Sequence, residues 1–253
     1  MSRFLISVFA LFVFFSCATT HLSVQQINTK NISVNLQTSS VDSFAQATIT
    51  PFRDSIANAM SKLIAVSATP LVKGRPESKL TNLAADVVLE YGTNYCIQQK
   101  LNVVPNVSYF NYGGLRASLP QGDITVERIF ELMPFENEIV LVKVSGESVV
   151  KMAERIAIRG GEGVAGMKIG IRDGKLGTLT VGGKAVDPAA IYWVVTNDYI
   201  ANGGDQMSML ANSFDRINTK LKLRDIFMEA LGKRYKENGV LDVKEDGRIY
   251  REQ

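Results

Sequence analysis

Three short stretches of this 253-residue chain carry side chains able to do chemistry. Asn111-Tyr112-Gly113-Gly114-Leu115-Arg116 sets an amide and a guanidinium beside a double glycine. Glycines let the backbone approach a ligand closely and can turn N–H groups toward an anion. A guanidinium next to such a turn can grip two phosphate oxygens. Alone, Gly-Gly-x-Arg fits an exposed turn arginine equally well. Pro134-Phe135-Glu136-Asn137 places a ring where a helix stops. Thr196-Asn197-Asp198-Tyr199-Ile200-Ala201-Asn202-Gly203-Gly204-Asp205 places another where a strand ends. Two rings at loop positions can clamp a flat base, each face contributing on the order of 1–3 kcal/mol; rings packed beneath loops are the bland alternative. Asn137 can offer a donor and an acceptor to a base edge. Asp205 could accept from ribose hydroxyls, although Asn and Asp are also ordinary turn residues. Together these groups form an inventory for holding a nucleoside phosphate, and none of them could cleave one.

Composition narrows the field. The chain is 46% hydrophobic and 21% charged, with net charge +3 and pI about 8.8. No Lys/Arg run interleaved with aromatics suggests polymeric nucleic acid. There is one histidine, His21, and two cysteines, Cys17 and Cys96. Catalytic zinc and di-metal centres draw on several His, Cys and acidic residues, and catalytic triads need a histidine inside the fold. The expectation is no catalytic residue, no metal ligand and no cofactor in this chain. Cys96, between Tyr95 and Ile97, reads as a small buried hydrophobe on a helix.

Met1–Ser16 has a positive start at Arg3 and an apolar run from Phe4 to Phe15. That run is shorter than the roughly 20 residues a spanning helix needs and suits a secretory signal. Phe14-Phe15-Ser16-Cys17-Ala18 resembles a loose bacterial lipobox, predicting lipidation of Cys17. Ordinary signal cleavage with an incidental Cys17 is the alternative. The expected organisation is a signal peptide at 1–16, a tether at 17–28 and one domain over 29–253. The product would be exported and lipid-anchored to a bacterial membrane, on the periplasmic face or the cell surface.

The elements that must position the three stretches follow from periodicity. Ile32–Leu36 alternates like an edge strand. Thr50 and Pro51 suggest a helix start, with Ile56, Met60, Leu63 and Ile64 on one face. Pro76 suggests the start of a longer helix bearing Leu80, Leu83, Ala84, Val87, Val88 and Tyr91. A strand at Val107–Phe110 leads into Gly113-Gly114, and a helix at Thr125–Met133 stops at Pro134. A strand at Glu138–Ser145 precedes a helix at Glu147–Ala157. Strands near Gly166–Ile171 and Leu176–Val181 flank Asp173-Gly174, with a further turn at Gly182-Gly183. A strand at Ile191–Thr196 stops at a loop, Asn197–Asp205. Leu223, Ile226, Phe227, Ala230 and Leu231 mark the last helix. This mixture is α/β or α+β, with helices covering mixed sheets.

Taken together, the motifs closely resemble the C-terminal, substrate-recognising domain of the 5'-nucleotidase family, over essentially residues 30–250. Asn111–Arg116 matches the family's Asn-x-Gly-Gly-hydrophobic-Arg motif, Pro134–Asn137 its Pro-Phe-x-Asn motif, and Thr196–Asp205 its Thr-Asn-aromatic stretch ending in Gly-Gly-Asp. The resemblance implies α/β/β/α layering. It implies that Asn111 and Arg116 lie at the phosphate, with Gly114 also substrate-binding, and that Phe135 and Tyr199 sandwich the base. Asn137 would meet the base edge and Asp205 the ribose. An upstream family arginine falls at Arg75, to within a residue, with Lys79 as a further cation. A solvated charge at a helix start is the plain reading of both. Thr81 replaces the family's usual glycine, and Tyr199 stands where many members have Phe. Full-length members also carry a metallophosphoesterase domain with Asp-x-His, Gly-Asn-His-Asp/Glu and Gly-His-x-His motifs. None of these occurs here. The resemblance thus implies the nucleotide-recognition half of a split 5'-nucleotidase-type hydrolase, inactive alone. A separate metallophosphoesterase subunit would supply divalent metals. The alternatives are a stand-alone nucleotide- or nucleoside-binding lipoprotein and a degenerate structural lipoprotein.

Overall fold

The structure is a computed structural model that describes residues 24–33 and 42–253. The signal segment, Cys17, His21, the first part of the tether and Val34–Leu36 lie outside the described residues. Residues 24–33 are exposed and have no regular structure. Ile32 therefore does not open the expected strand, since no strand among the described residues pairs with it. The chain divides at Thr50–Pro51, and the second unit, Pro51–Gln253, holds every described strand and both cores.

Helix α1 (Ser43–Met60) begins well before Thr50. Asp42 caps it, accepting from the backbone N–H groups of Phe44 at 2.9 Å and Ala45 at 3.0 Å. Thr50 instead turns its hydroxyl back to the Gln46 carbonyl at 2.7 Å, and Pro51 sits inside the helix. The Thr-Pro start signal was overridden because Asp42 is an earlier and stronger cap. Leu63 and Ile64 leave the helical face expected for them and form strand β1 (Leu63–Ser67). It pairs antiparallel with β3 (Gly122–Thr125). Helix α2 (Lys79–Gln98) starts after Pro76, at a cap made by Ser78. The Ser78 hydroxyl accepts from the Thr81 N–H at 3.2 Å, and the Thr81 hydroxyl accepts from the Ser78 N–H at 3.2 Å. Threonine here performs the reciprocal role usually given to Glu or Gln. Leu80, Leu83, Ala84, Val87 and Val88 are buried as expected, and so is Cys96, whose thiol burial pushes above its ordinary range.

The centre of the fold is a five-stranded sheet in the order β10-β4-β9-β2-β5. Its members are β2 (Val107–Phe110), β4 (Glu138–Ser145), β5 (Gly163–Ala165), β9 (Ile191–Asn197) and β10 (Asp215–Lys222). A four-stranded sheet runs β11-β6-β7-β8, from β6 (Met167–Arg172), β7 (Lys175–Val181), β8 (Lys184–Ala185) and β11 (Ile249–Arg251). The period-two alternation of strands sorts the core side chains. Phe110, Ile139, Leu141 and Val195 enter one core with α2, α3 (Val126–Leu132) and α7 (Leu223–Asn238). Tyr109, Val140, Val142 and Val194 enter the other, with α4 (Gly146–Ile158), β6 and the short helices α5 (Asp198–Ala201) and α6 (Ser208–Ala211). The central strands are apolar on both faces because both faces are covered. The fold is mixed α/β, with helices covering the sheets, as the sequence pattern indicates.

Register places the site. β2 and β9 are parallel neighbours, Val107 opposite Val194, so both end at the same edge of the sheet. β4 runs antiparallel to β9, with Ile139 opposite Asn197, so it starts at that edge. β5 also starts there, Gly163 lying opposite Phe110. β10 ends there, Lys222 lying opposite Glu138. The carboxyl ends of β2, β9 and β10 therefore meet at one edge, and carboxyl ends of strands are the usual place for ligand sites in open α/β sheets.

Candidate functional site

That edge bears a cavity of about 570 Å³, lined by Asn111, Gly114, Arg116, Phe135, Asn137, Tyr199 and Asp205, with Gly113 and Glu136 among them. All three sequence stretches contribute. The first leaves β2 and closes in a 3₁₀ turn, Tyr112–Gly114, with the Gly114 N–H donating to the Asn111 carbonyl at 2.9 Å. Buried Leu115 pins the turn from below. The Arg116 N–H donates to Leu132 O at 2.8 Å, which fixes the backbone and leaves the guanidinium exposed. Its carbon lies 5.8 Å from the centroid of the Phe135 ring. Among the described residues no carboxylate pairs with Arg116.

Phe135 and Tyr199 are each 48% exposed, unlike the buried aromatics Tyr109 and Phe110. Aromatic surface of that size kept half in water around a concave wall is what a stacking ligand would cover. Asp198 ties the two ring-bearing segments together. One of its oxygens accepts from the Asn137 amide at 2.7 Å, the Tyr199 N–H at 2.9 Å and the Glu138 N–H at 3.3 Å.

The Asn197–Asp205 segment, expected as a loop, contains the single-turn helix α5. Asn197 caps it by accepting from the Ile200 N–H at 2.9 Å. After it the chain turns back through left-handed Gly203 and Asp205, at φ 89° and 53°. A side chain on Gly204 would meet the Tyr199 ring at 2.5 Å, so glycine lets that ring lie against its own loop. Asp205 is held by the Asn111 amide at 2.8 Å, and its carbonyl by the Arg159 guanidinium at 2.7 Å. Asn111 also accepts from Asn197 at 3.2 Å. Its side chain, largely buried, thus couples the first stretch to the third.

The two upstream cations lie apart from the cavity lining. Arg75 stacks over the Tyr112 ring at 4.3 Å and donates to Gly161 O at 3.0 Å. Lys79 donates to the Thr69 hydroxyl at 3.0 Å. Lys73, which the sequence reading left without a role, lies 4.4 Å from the Tyr112 centroid and donates to Leu115 O at 2.7 Å. Burial lowers its pKa, and the charges of Arg116 and Arg75 lower it further. Lys73 is thus close enough to feel both Arg116 and Arg75, although Arg75 also lies 3.8 Å from the Glu162 carboxylate, and cations gathered this way make a field that favours an anion.

The sequence reading also missed Glu162. Its carboxylate is 1% exposed and accepts from the Tyr112 N–H at 2.7 Å, the Tyr109 hydroxyl at 3.1 Å and Arg159 at 3.2 Å. Burial, with the Glu162 charge, keeps the Tyr109 hydroxyl well above its ordinary pKa and therefore protonated to donate. Glu162 stands in Gly160-Gly161-Glu162-Gly163. An acid enclosed by glycines is the one signal that could have marked it. Among the described residues no three His, Cys, Asp or Glu side chains are grouped to hold a metal ion. Nor, among those residues, is any helix long and apolar enough to cross a membrane.

A family model described as "5'-nucleotidase, C-terminal domain" matches residues 55–212, a narrower span than the sequence resemblance suggested. Protein UshA of Salmonella pullorum is 33% identical over 136 residues, covering 52% of this chain and 24% of that protein. The 5'-nucleotidase of Vibrio cholerae serotype O1 is 28% identical over 114 residues, covering 43% and 21%. The chain therefore spans about a quarter of the length of these relatives. Among solved structures, the 5'-nucleotidase precursor of Thermus thermophilus superposes with TM-score 0.69 at 26% identity, covering 82% of this chain and 43% of that one. The NAD nucleotidase of Haemophilus influenzae shares the fold, with TM-score 0.61 at 18% identity over 84% of this chain and 42% of that one. With three motifs meeting at one sheet edge and the family model covering most of its length, the chain belongs to the 5'-nucleotidase C-terminal domain family.

Proposed function

We propose that this chain is the nucleotide-recognition half of a split 5'-nucleotidase-type hydrolase. The observation that carries the reading is the pairing, around one cavity, of two half-exposed rings with an arginine that has no carboxylate partner among the described residues. The rings would take the base, Asn137 its edge, Asp205 the ribose, and Arg116 the phosphate, aided by the field of Lys73 and Arg75. Divalent metals and the attacking water would come from a separate metallophosphoesterase unit. Binding energy from the remote nucleoside would then hold the phosphate where those metals act. Export and a lipid on Cys17 would place this work at a membrane surface, with metabolic labelling by palmitate in wild type but not in Cys17→Ser as the check.

The first test is calorimetry with AMP, followed by phosphate release after adding a metallophosphoesterase unit with Mn²⁺. Binding should precede any turnover, and turnover should need both proteins. AMP binding with no release alongside any such partner would instead support a stand-alone binding lipoprotein. Phe135→Ala and Tyr199→Ala should each weaken AMP and adenosine alike, by about tenfold, as loss of one stacking face implies. Affinity unchanged in both variants would end the clamp.

A pH dependence also follows. The Lys73 pKa is lowered in the free protein, so the ammonium loses its proton below the ordinary 10.5. Its neutral amine no longer attracts phosphate. AMP affinity should therefore fall as pH rises through that lowered range, while adenosine affinity holds level. A parallel decline for both ligands would assign the effect to the fold rather than to Lys73.

A further inference from the structure

The segment bearing Phe135 and Asn137 is braced from outside the residues that the family model matches, which end at 212. The brace is the junction of β10 and α7. Arg224 donates to Met133 O at 3.2 Å and forms an ion pair with Glu136. Its guanidinium carbon lies 4.0 Å from the Phe130 centroid, on the helix leading into Pro134. The Leu223 N–H donates to Asn137 O at 2.8 Å. Lys222 reaches the Glu136 carbonyl at 3.3 Å and the Glu138 carboxylate at 3.0 Å. Three consecutive residues thus hold both sides of the Phe135 ring's attachment. Of them, Arg224 has the firmest seat, its side chain only 10% exposed.

We infer that Arg224 is a positioning residue for base recognition: from behind the cavity it fixes the Met133–Asn137 backbone so that Phe135 and Asn137 are preorganised for the base. The inference rests on the nucleotide reading above. A buried guanidinium that binds a backbone carbonyl, a carboxylate and a ring at once restrains the chain between them more than any single contact would. Arg224 is absent from the cavity lining, so its effect on a ligand must pass through the segment it holds. Its influence should therefore fall chiefly on the base; the phosphate grip leaves β2 and meets this stretch of backbone through the Arg116 N–H on Leu132 O, one residue before the segment that Arg224 holds.

The test compares wild type with Arg224→Met, which keeps the apolar stem, and with Arg224→Lys, which keeps the charge. Calorimetry reads adenosine and ribose 5-phosphate, and hydrogen exchange reads the amides of residues 135–138. Arg224→Met should weaken adenosine about tenfold, since small displacements of positioning groups are costly. It should leave ribose 5-phosphate within about twofold and speed exchange locally. Arg224→Lys should recover part of both. In a Phe135→Ala background, Arg224→Met should add little, because the ring it positions is gone. Unchanged exchange, an equal loss for ribose 5-phosphate, or full additivity with Phe135→Ala would each overturn the inference. Wild type that binds neither ligand while Arg224→Met still loosens the segment would instead refute the nucleotide reading, leaving only the brace.

Discussion

Arg116→Ala is expected to weaken AMP binding by about 100-fold while leaving adenosine within about twofold. A charge-assisted, two-pronged hydrogen bond to a phosphate is worth roughly 1.5–3 kcal/mol, where tenfold in affinity is about 1.4 kcal/mol. The upper end applies because no described carboxylate competes for this guanidinium and its backbone is already fixed by Leu132. On binding, only the side chain of Arg116 remains to be ordered, not its backbone. Lys73 and Arg75 persist in the variant and continue to attract anions, so Arg116→Lys should recover only part of the loss, lacking the planar fork. The selectivity between ligands carries the argument. Losses of equal size for AMP and adenosine would move Arg116 from the phosphate to the Phe135 face, 5.8 Å away.

Glu162→Ala should lower the stability of the domain by about 3 kcal/mol. That is the low end of the ~3–5 kcal/mol typical when one member of a buried ion pair is removed, because Arg159 keeps about a quarter of its side chain in water. The variant also leaves the Tyr109 hydroxyl without its acceptor in a fully buried setting. For a domain of this size the midpoint of thermal unfolding should drop by roughly 6–12 °C. Glu162→Gln, which keeps an acceptor oxygen but loses the charge, should cost about half as much. The Tyr112 N–H and the Arg159 bridge to Asp205 both hang on this carboxylate, so AMP binding should weaken in Glu162→Gln at temperatures where it remains folded. Urea unfolding with the same midpoint in wild type and Glu162→Ala would show that the network is ornamental.

These two residues contrast in how they could be found. Arg116 was singled out by three motifs taken together: Gly-Gly-x-Arg alone fits an exposed turn equally well, and its order and spacing with the other two stretches marked it. Phe135, Tyr199 and Asp205 likewise read alone as rim or turn residues, and took on a role only from that combination. Glu162 was not legible, since its partners Tyr109, Tyr112 and Arg159 are joined to it by the pairing of β5 with β2. Arg224 was hidden likewise. In sequence it is an ordinary charge in the first turn of a helix, and only the β10–β4 register sets it behind Met133 and Glu136.

The misplaced elements have two causes, one local and one tertiary. Thr50-Pro51 is a valid start signal, yet Asp42 caps the same helix earlier and Asp is the better capping residue, so the helix was already running when it reached Thr50. Leu63 and Ile64 fit a helical period with Ile56 and Met60, but pairing with β3 makes them a strand.

By itself the amino-acid order determined which chemical groups this protein can offer a ligand, and the type of nearly every long element, because caps, glycine turns and apolar periods act over a few residues. Tertiary structure alone decided that the three stretches share one cavity, that Lys73 joins the cations, and that Glu162 and Arg224 hold the walls. The reason is register: a strand's neighbour is chosen by long-range pairing and burial, and only that choice brings the ends of β2, β4 and β9 to a single edge.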